Sequence, residues 1–484
     1  MRSAIAFLLP VIIAVILLLV PVPQGLSPQA WHFFAVFAAT IVGLVLEPLP
    51  GAVVSLAATV LIAVFSPYFL FSPAELQAPG FDRPGQAFKW AVSGFADATV
   101  WLVIGAFMFA AGYKKTRFGE RLALILVKYL GRRSLTLGYA VTFADLALAP
   151  FTPSNTARSG GTIYPIIANL PPLYDSRPND ASARKIGSYL MWVAITATCI
   201  TSSLFMTALA PNILSLGLVK KAVGLDISWG TWFLAFLPLG ALLLAVMPLL
   251  VYWIYPPGVK YNEDVPRWAE QKLQALGALS RQEMLLLGFV ILALLLWIFA
   301  TAWLAPAMAA LLVIVLMLIS GVLEWSDITG NKAAWNTFIW FATLVTLAAG
   351  LAKTGFIAWL GAKGGIMLQG SSPLMATIIL TMAFYLLHYL FASSTAHTMA
   401  LLPAILAIGQ AVPGINMQVL CLLLVTSLGL MGILTPYGCG PSPIYYGSGY
   451  LPARDYWRLG AIFGLLFLFL QLVIIYPWVS LLFG

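Results

Sequence analysis

Two short polar stretches carry the side chains most able to do chemistry. One is "SNTAR", with Ser154, Asn155, Thr156 and Arg158; the other is "SSTAH", with Ser393, Ser394, Thr395 and His397. Both interrupt long apolar sequence. Ser, Asn and Thr favour the first position of a helix, where a side-chain oxygen accepts a backbone N–H. A helix that starts there turns its free N–H groups and positive dipole end toward whatever faces it, which favours an anion. Two such starts facing each other suit a ligand with two separated carboxylates, and neutral hydroxyl and amide bonds would hold it yet release it. Arg158 and His397 each follow the first Ser by about one helical turn of 3.6 residues. A charge inside an apolar segment is a functional hypothesis by default. The expected role is a fixed countercharge for an anionic substrate; His397 would need to be protonated to share it, which an ordinary pKa of ~6.5 leaves open. The bland alternatives are a snorkelling arginine and a hydrogen-bonded core histidine; the shared position favours function.

A second pair of interruptions is "ALAPN", with Pro211 and Asn212, and "LTPYG", with Thr435 and Pro436. Proline suits the first turn of a helix, so these read as unwound points in two crossing helices rather than plain proline kinks. They are weaker candidates for the same site. Asp145, shortly before Ser154, is expected to be a structural partner of Arg158 or of a helix end. Asp97 and Glu47 fall near segment ends, and His32 and His388 have no evident partner. Cys199, Cys421 and Cys439 show neither disulfide nor metal spacing. No zinc-protease, Walker or nucleophile-elbow motif occurs, so neither an enzyme nor a bound cofactor or metal is expected.

The elements that must position these residues are membrane helices. The chain of 484 residues is 61% hydrophobic and only 8% charged, against about 25% charged in soluble domains. Its mean hydropathy is +0.96. Continuous apolar runs, such as 5–20, 33–46, 232–255, 283–301 and 459–483, approach the ~20 residues of a crossing; they do not alternate as barrel strands would. The expectation is an all-α polytopic protein with about eleven crossings and two re-entrant hairpins. A net charge of +9 fits basic cytoplasmic loops better than nucleic-acid binding. The N-terminal apolar run reads as an uncleaved helix.

An internal repeat orders these segments. "AAGYKKTRFGERL" from Ala110 returns as "AAGLAKTGFIAWL" from Ala348, and "SNTAR" returns as "SSTAH" one residue further apart. "TALAPN" finds a looser echo in "GILTPYG". The expected division is an N-terminal helix (1–30), a first repeat (31–255, hairpin about 135–166), a cytoplasmic linker (256–282) and a second repeat (283–484, hairpin about 372–408). The segment after the first "AAG" holds Lys114, Lys115, Arg117, Arg121, Lys128, Arg132 and Arg133. Its counterpart holds only Lys353 and Lys363. The positive-inside rule then places equivalent loops on opposite sides, an inverted-topology repeat as in secondary transporters. Interrupted apolar segments at matching positions point to the substrate site.

At "LAPFTPSNTARSGGTIYPI" and "LFASSTAHTMALLPAI" the chain resembles the divalent anion/sodium symporter family, and within it the exchanger branch. That resemblance implies a homodimer, with a scaffold and a transport domain that moves like an elevator; the lack of an Arg/Ser-rich N-terminal stretch favours a bacterial inner membrane. The resemblance also implies that substrate carboxylates sit at Ser154, Asn155, Thr156, Ser393, Ser394 and Thr395, with lesser roles for Pro211, Asn212, Thr435 and Pro436. The second motif departs from the family pattern, with Ser394 where Asn is usual. In the sodium-coupled branch sodium binds near these tips; here Arg158 and His397 would substitute for it and make crossing without an anion costly. The resulting expectation is sodium-independent exchange of di- or tricarboxylates. The alternatives are a sodium-coupled symporter, an anion channel on the same fold, and an intramembrane enzyme.

Overall fold

The computed structural model describes residues 2–46, 48–300 and 302–484; Glu47 lies outside the described residues. Among them the only extended pairing is one isolated bridge, Arg133 with Tyr261, and everything else regular is helical. Among the described residues seven helices are long and apolar enough to cross a membrane, or eight if the pair Arg83–Ala96 and Ala98–Thr116, bent by 41°, counts as one. This is fewer than the eleven crossings expected. The difference lies in apolar helices of 10–17 residues, such as Gly51–Val64, Pro306–Ile319 and Phe356–Met367, which are too short at 1.5 Å per residue to span a ~30 Å core unaided. Outward faces stay apolar: in Arg281–Phe299 only 28% of the window is buried, and Met284, Leu287, Ile291, Leu295 and Ile298 are exposed. Such a stripe belongs against lipid, and the chain is a multi-pass membrane protein.

The centre is built from two interrupted helices. Gly187–Leu204 is buried at every residue, as a helix without a polar face must be. It stops at Phe205 and Leu209, both extended, around a short 3-10 turn, and resumes as Ala210–Val223 with Pro211 in its first turn. Met417–Leu430 ends in a 3-10 turn, residues 434–441 are non-helical, and Ser442–Gly447 follows. The two helices touch where Gly429 meets Ser203: a Cβ on Gly429 would fall 2.5 Å from the Ser203 backbone nitrogen. The Leu430 N–H donates to Ser203 Oγ at 3.0 Å. The linker is not all loop, because Asp264–Leu276 is helical and ion pairs Lys128–Glu270 and Arg132–Glu263 hold it to the helix Phe118–Leu130 and its end.

Candidate functional site

The first hairpin descends as Ser134–Leu148, turns through residues 149–154 and returns as Thr156–Ile163. Ser154 caps the return, accepting the Ala157 N–H at 3.2 Å. The sequence predicts an α-helix here, but the returning arm is a π-helix followed by the short helix Tyr164–Ile167. Small residues at Ala157, Gly160 and Gly161 tolerate that wider winding, which recurs at functional sites. The second hairpin runs Pro373–Leu386, turns through 387–393 and returns as Ser394–Ala411. Ser393 is its cap, accepting the Ala396 N–H at 3.4 Å. Both motifs therefore start a helix with their first serine.

Contacts link both tips and both breaks. The Ala210 N–H, first in the resumed helix, donates to Pro153 O at 2.7 Å, joining the first break to the first tip. The Thr156 hydroxyl lies against Gly440 of the second break, where a Cβ would fall 1.7 Å from Oγ1. Ser394 Oγ donates to Gly438 O at 3.3 Å, joining the second break to the second tip. The returning arm of the first hairpin packs on the helix beyond the second break, through Ser159 Oγ and Tyr445 Oη at 2.7 Å and through Gly160 against Ile444. The returning arm of the second packs on the helix beyond the first break, Ala210–Val223. Asn155 is a buried residue whose side chain makes no hydrogen bond among the described residues, and Thr156 is exposed. Ser393 and Thr395 border a separate cavity of about 490 Å³ with Asn336 and Trp340; no residue of the first tip lines it.

The breaks hold their own loose ends. Asn212 Nδ2 donates to Ser202 O at 2.7 Å and Phe205 O at 3.2 Å, carbonyls freed where the helix stops. Pro211, Asn212, Thr435 and Pro436 are all buried. Asn212 Oδ1 and Thr435 Oγ1 find no partner among the described residues, so these two oxygens are the breaks' unspent polar groups.

The uncommitted countercharge is corrected in both halves. Arg158 is fully buried and its five N–H donors are spent within the protein. Nε donates to Asp145 Oδ2 at 3.1 Å, Nη1 to Thr152 O at 3.0 Å and Ala208 O at 2.9 Å, and Nη2 to Thr198, Thr201 and Ser202 hydroxyls at 3.0–3.2 Å. It is a resident cation in an oxygen cage, tying the tip to the break, and Asp145 neutralises it. No donor is left over for a substrate oxygen. His397 is buried among Phe384, Phe391 and His388, with ring centroids 4.5–5.2 Å away. Neither ring nitrogen has a hydrogen-bond partner among the described residues. Nothing there would hold an imidazolium, because burying an unpaired charge is costly.

Three contributors escaped the sequence reading. His388 bonds Gly438 O at 2.7 Å, and a lone histidine in apolar sequence gave no sign of it. Gly438 and Gly440 lie in "YGCGP", where clustered glycines signal close backbone approach. Gly440→Ala is expected to displace Thr156 and weaken substrate affinity about tenfold, with the fold retained because Gly440 is exposed and the loss is one contact of ~1–2 kcal/mol. Substrate titration of exchange beside a thermal melt would check it; unchanged affinity would separate Thr156 from the site. Elsewhere Asp97 does sit at a segment end, capping Ala98–Thr116, and His32 Nδ1 meets Tyr68 O at 3.3 Å.

Residues 2–484 match the family described as the sodium:sulfate symporter transmembrane region. The chain is 54% identical to the L-tartrate/succinate antiporters of Shigella sonnei, Escherichia coli and Shigella flexneri, in each case over 467 residues and 96% of both chains. Among solved structures it resembles the Alcanivorax borkumensis YdaH transporter (TM-score 0.57, 13% identity, 94% of this chain and 99% of that one). It also resembles Neisseria gonorrhoeae MtrF (TM-score 0.53, 13% identity, 88% and 94%). At that identity these two speak to the fold alone.

Proposed function

Because the chain belongs to the sodium:sulfate symporter family, we propose that it is a secondary transporter exchanging dicarboxylates, L-tartrate for succinate in the first instance, across a bacterial inner membrane. The carrying observation is the convergence of two serine-capped helix starts and two helix breaks in one continuous set of contacts. Ser154, Asn155 and Thr156 would bind one carboxylate, and Ser393, Ser394 and Thr395 the other, with Thr435 and Asn212 offering their unspent oxygens and Pro211 and Pro436 shaping the breaks. The relatives' names support exchange of tartrate and succinate. The matching order of elements on either side of the linker supports an inverted repeat of 31–255 and 283–484. A homodimer with an elevator-like transport domain is the arrangement expected of such a fold, and no catalytic step is required.

Sodium independence follows from the oxygen cage. Three hydroxyls, two carbonyls and a carboxylate are the ligands a hard cation takes, and here the Arg158 guanidinium already occupies them. A sodium-coupled symporter is the second reading, favoured by the family's description. Labelled succinate uptake into proteoliposomes separates them. Exchange predicts uptake that requires internal tartrate or succinate and ignores sodium. Uptake into empty vesicles that follows a sodium gradient would overturn it.

A further inference from the structure

On the basic face of the protein, beside the returning arm of the first hairpin, lies a second cavity of about 270 Å³. Its walls come from four places: the end of the helix Ala98–Thr116 with the following elbow, the helix Phe118–Leu130, the hairpin arm, and the linker helix Asp264–Leu276. They bring Lys114, Arg117 and Lys272 together with a single carboxylate, Glu120. Arg117 already holds that carboxylate, Nε to Oε2 at 2.8 Å. Lys114 and Lys272 are exposed and make no ion pair among the described residues. The volume leaves room for a small dicarboxylate with part of its hydration. Trp268 closes one side.

The cavity and the tip share one hairpin arm. Along the returning arm the residues left exposed are Thr156 and Ala157 at the tip, then Gly161, Pro165 and Asn169, at successive turns. Gly161, Pro165 and Asn169 line the cavity, so the exposed positions of the arm run in series from the cavity lining to Thr156. The cavity beside the second tip has no charged residue in its described lining. Of these two cavities, only the one beside the first hairpin has basic residues in its described lining, at the face the positive-inside rule assigns to the cytoplasm.

We infer that this cavity is an anion-capture site: Lys114 and Lys272 hold an incoming or departing dicarboxylate at the cytoplasmic mouth before it passes along the hairpin arm to Asn155 and Thr156. The inference rests on the transport reading for the identity of the anion. Clustered cations at the mouth of a low-dielectric passage raise the local concentration of a divalent anion and its association rate, with a strong dependence on salt. They do not touch the bound substrate, so they act on apparent affinity at one face and leave the maximal rate unaltered.

Two measurements test it. The three native cysteines are buried, so Asn169→Cys gives a single reactive thiol in the cavity. An anionic methanethiosulfonate should modify it about tenfold faster than a cationic one. That ratio should collapse in the Lys114→Gln/Lys272→Gln background, and succinate should slow both reagents. In oriented proteoliposomes the same double substitution should raise KM at the cytoplasmic face roughly threefold to tenfold, with KM at the other face and the maximal rate unchanged. Equal reaction rates for the two reagents, no protection by succinate, or equal changes at both faces would each overturn the site. Protection that tracks the bilayer's phosphatidylglycerol content rather than succinate would assign the cavity to a lipid headgroup and also overturn it. If succinate protects the thiol but the unmodified protein exchanges no dicarboxylate, the transport reading fails while the anion site stands.

Discussion

Arg158→Ala is expected to abolish exchange and to lower the melting temperature of the purified protein sharply. The substitution strands Asp145, which is 1% exposed, and breaking a buried ion pair from one side costs about 3–5 kcal/mol. It also releases Thr152 O and Ala208 O, the carbonyls that join the hairpin tip to the broken helix. Arg158→Lys should rescue little, because one ammonium with three donors cannot span acceptors set around a planar fork. Arg158→Met combined with Asp145→Leu separates fold from function: removing both charges should restore much of the melting temperature without restoring exchange. Exchange at the parental rate in that double variant would show that the guanidinium merely fills space.

Asn155→Ala carries the second large effect, and it falls on affinity. Asn155 is a buried residue beside Gly440 whose amide bonds to no other side chain or backbone group among the described residues, so its hydrogen-bonding capacity is available to substrate. Losing such bonds to a charged carboxylate costs about 1.5–3 kcal/mol, a rise in KM of roughly ten- to a hundredfold. The melting temperature should barely move. Asp145→Asn should do the opposite, weakening the Arg158 clamp and stability more than affinity. Exchange kinetics and thermal melts on the two variants would decide it; the reverse ranking would place the binding site away from the first tip.

What was legible from sequence follows from how local each cause is. Ser154 and Ser393 announce helix starts because capping is settled within three residues, and both caps are made. Pro211 announces the restart at Ala210 for the same reason. The fate of Arg158 is not local. Its donors go to Thr198, Thr201 and Ser202, on a helix that the chain reaches only after a long excursion, and no spacing rule connects them. Symmetry in sequence also misled at His397, which shares Arg158's register but meets aromatic rings where Arg158 meets oxygen.

The pairing of Arg158 with Asp145 has an electrical side. A buried site that holds one positive and one negative charge is neutral when empty and takes on only the charge of its cargo. Membrane voltage acts on net charge moved, at about 2.3 kcal/mol per charge per 100 mV. In the proposed exchange, one divalent acid moving in and another moving out would cancel over the full cycle whatever the resident charge; the neutral pair adds that each single crossing would move only the charge of its cargo.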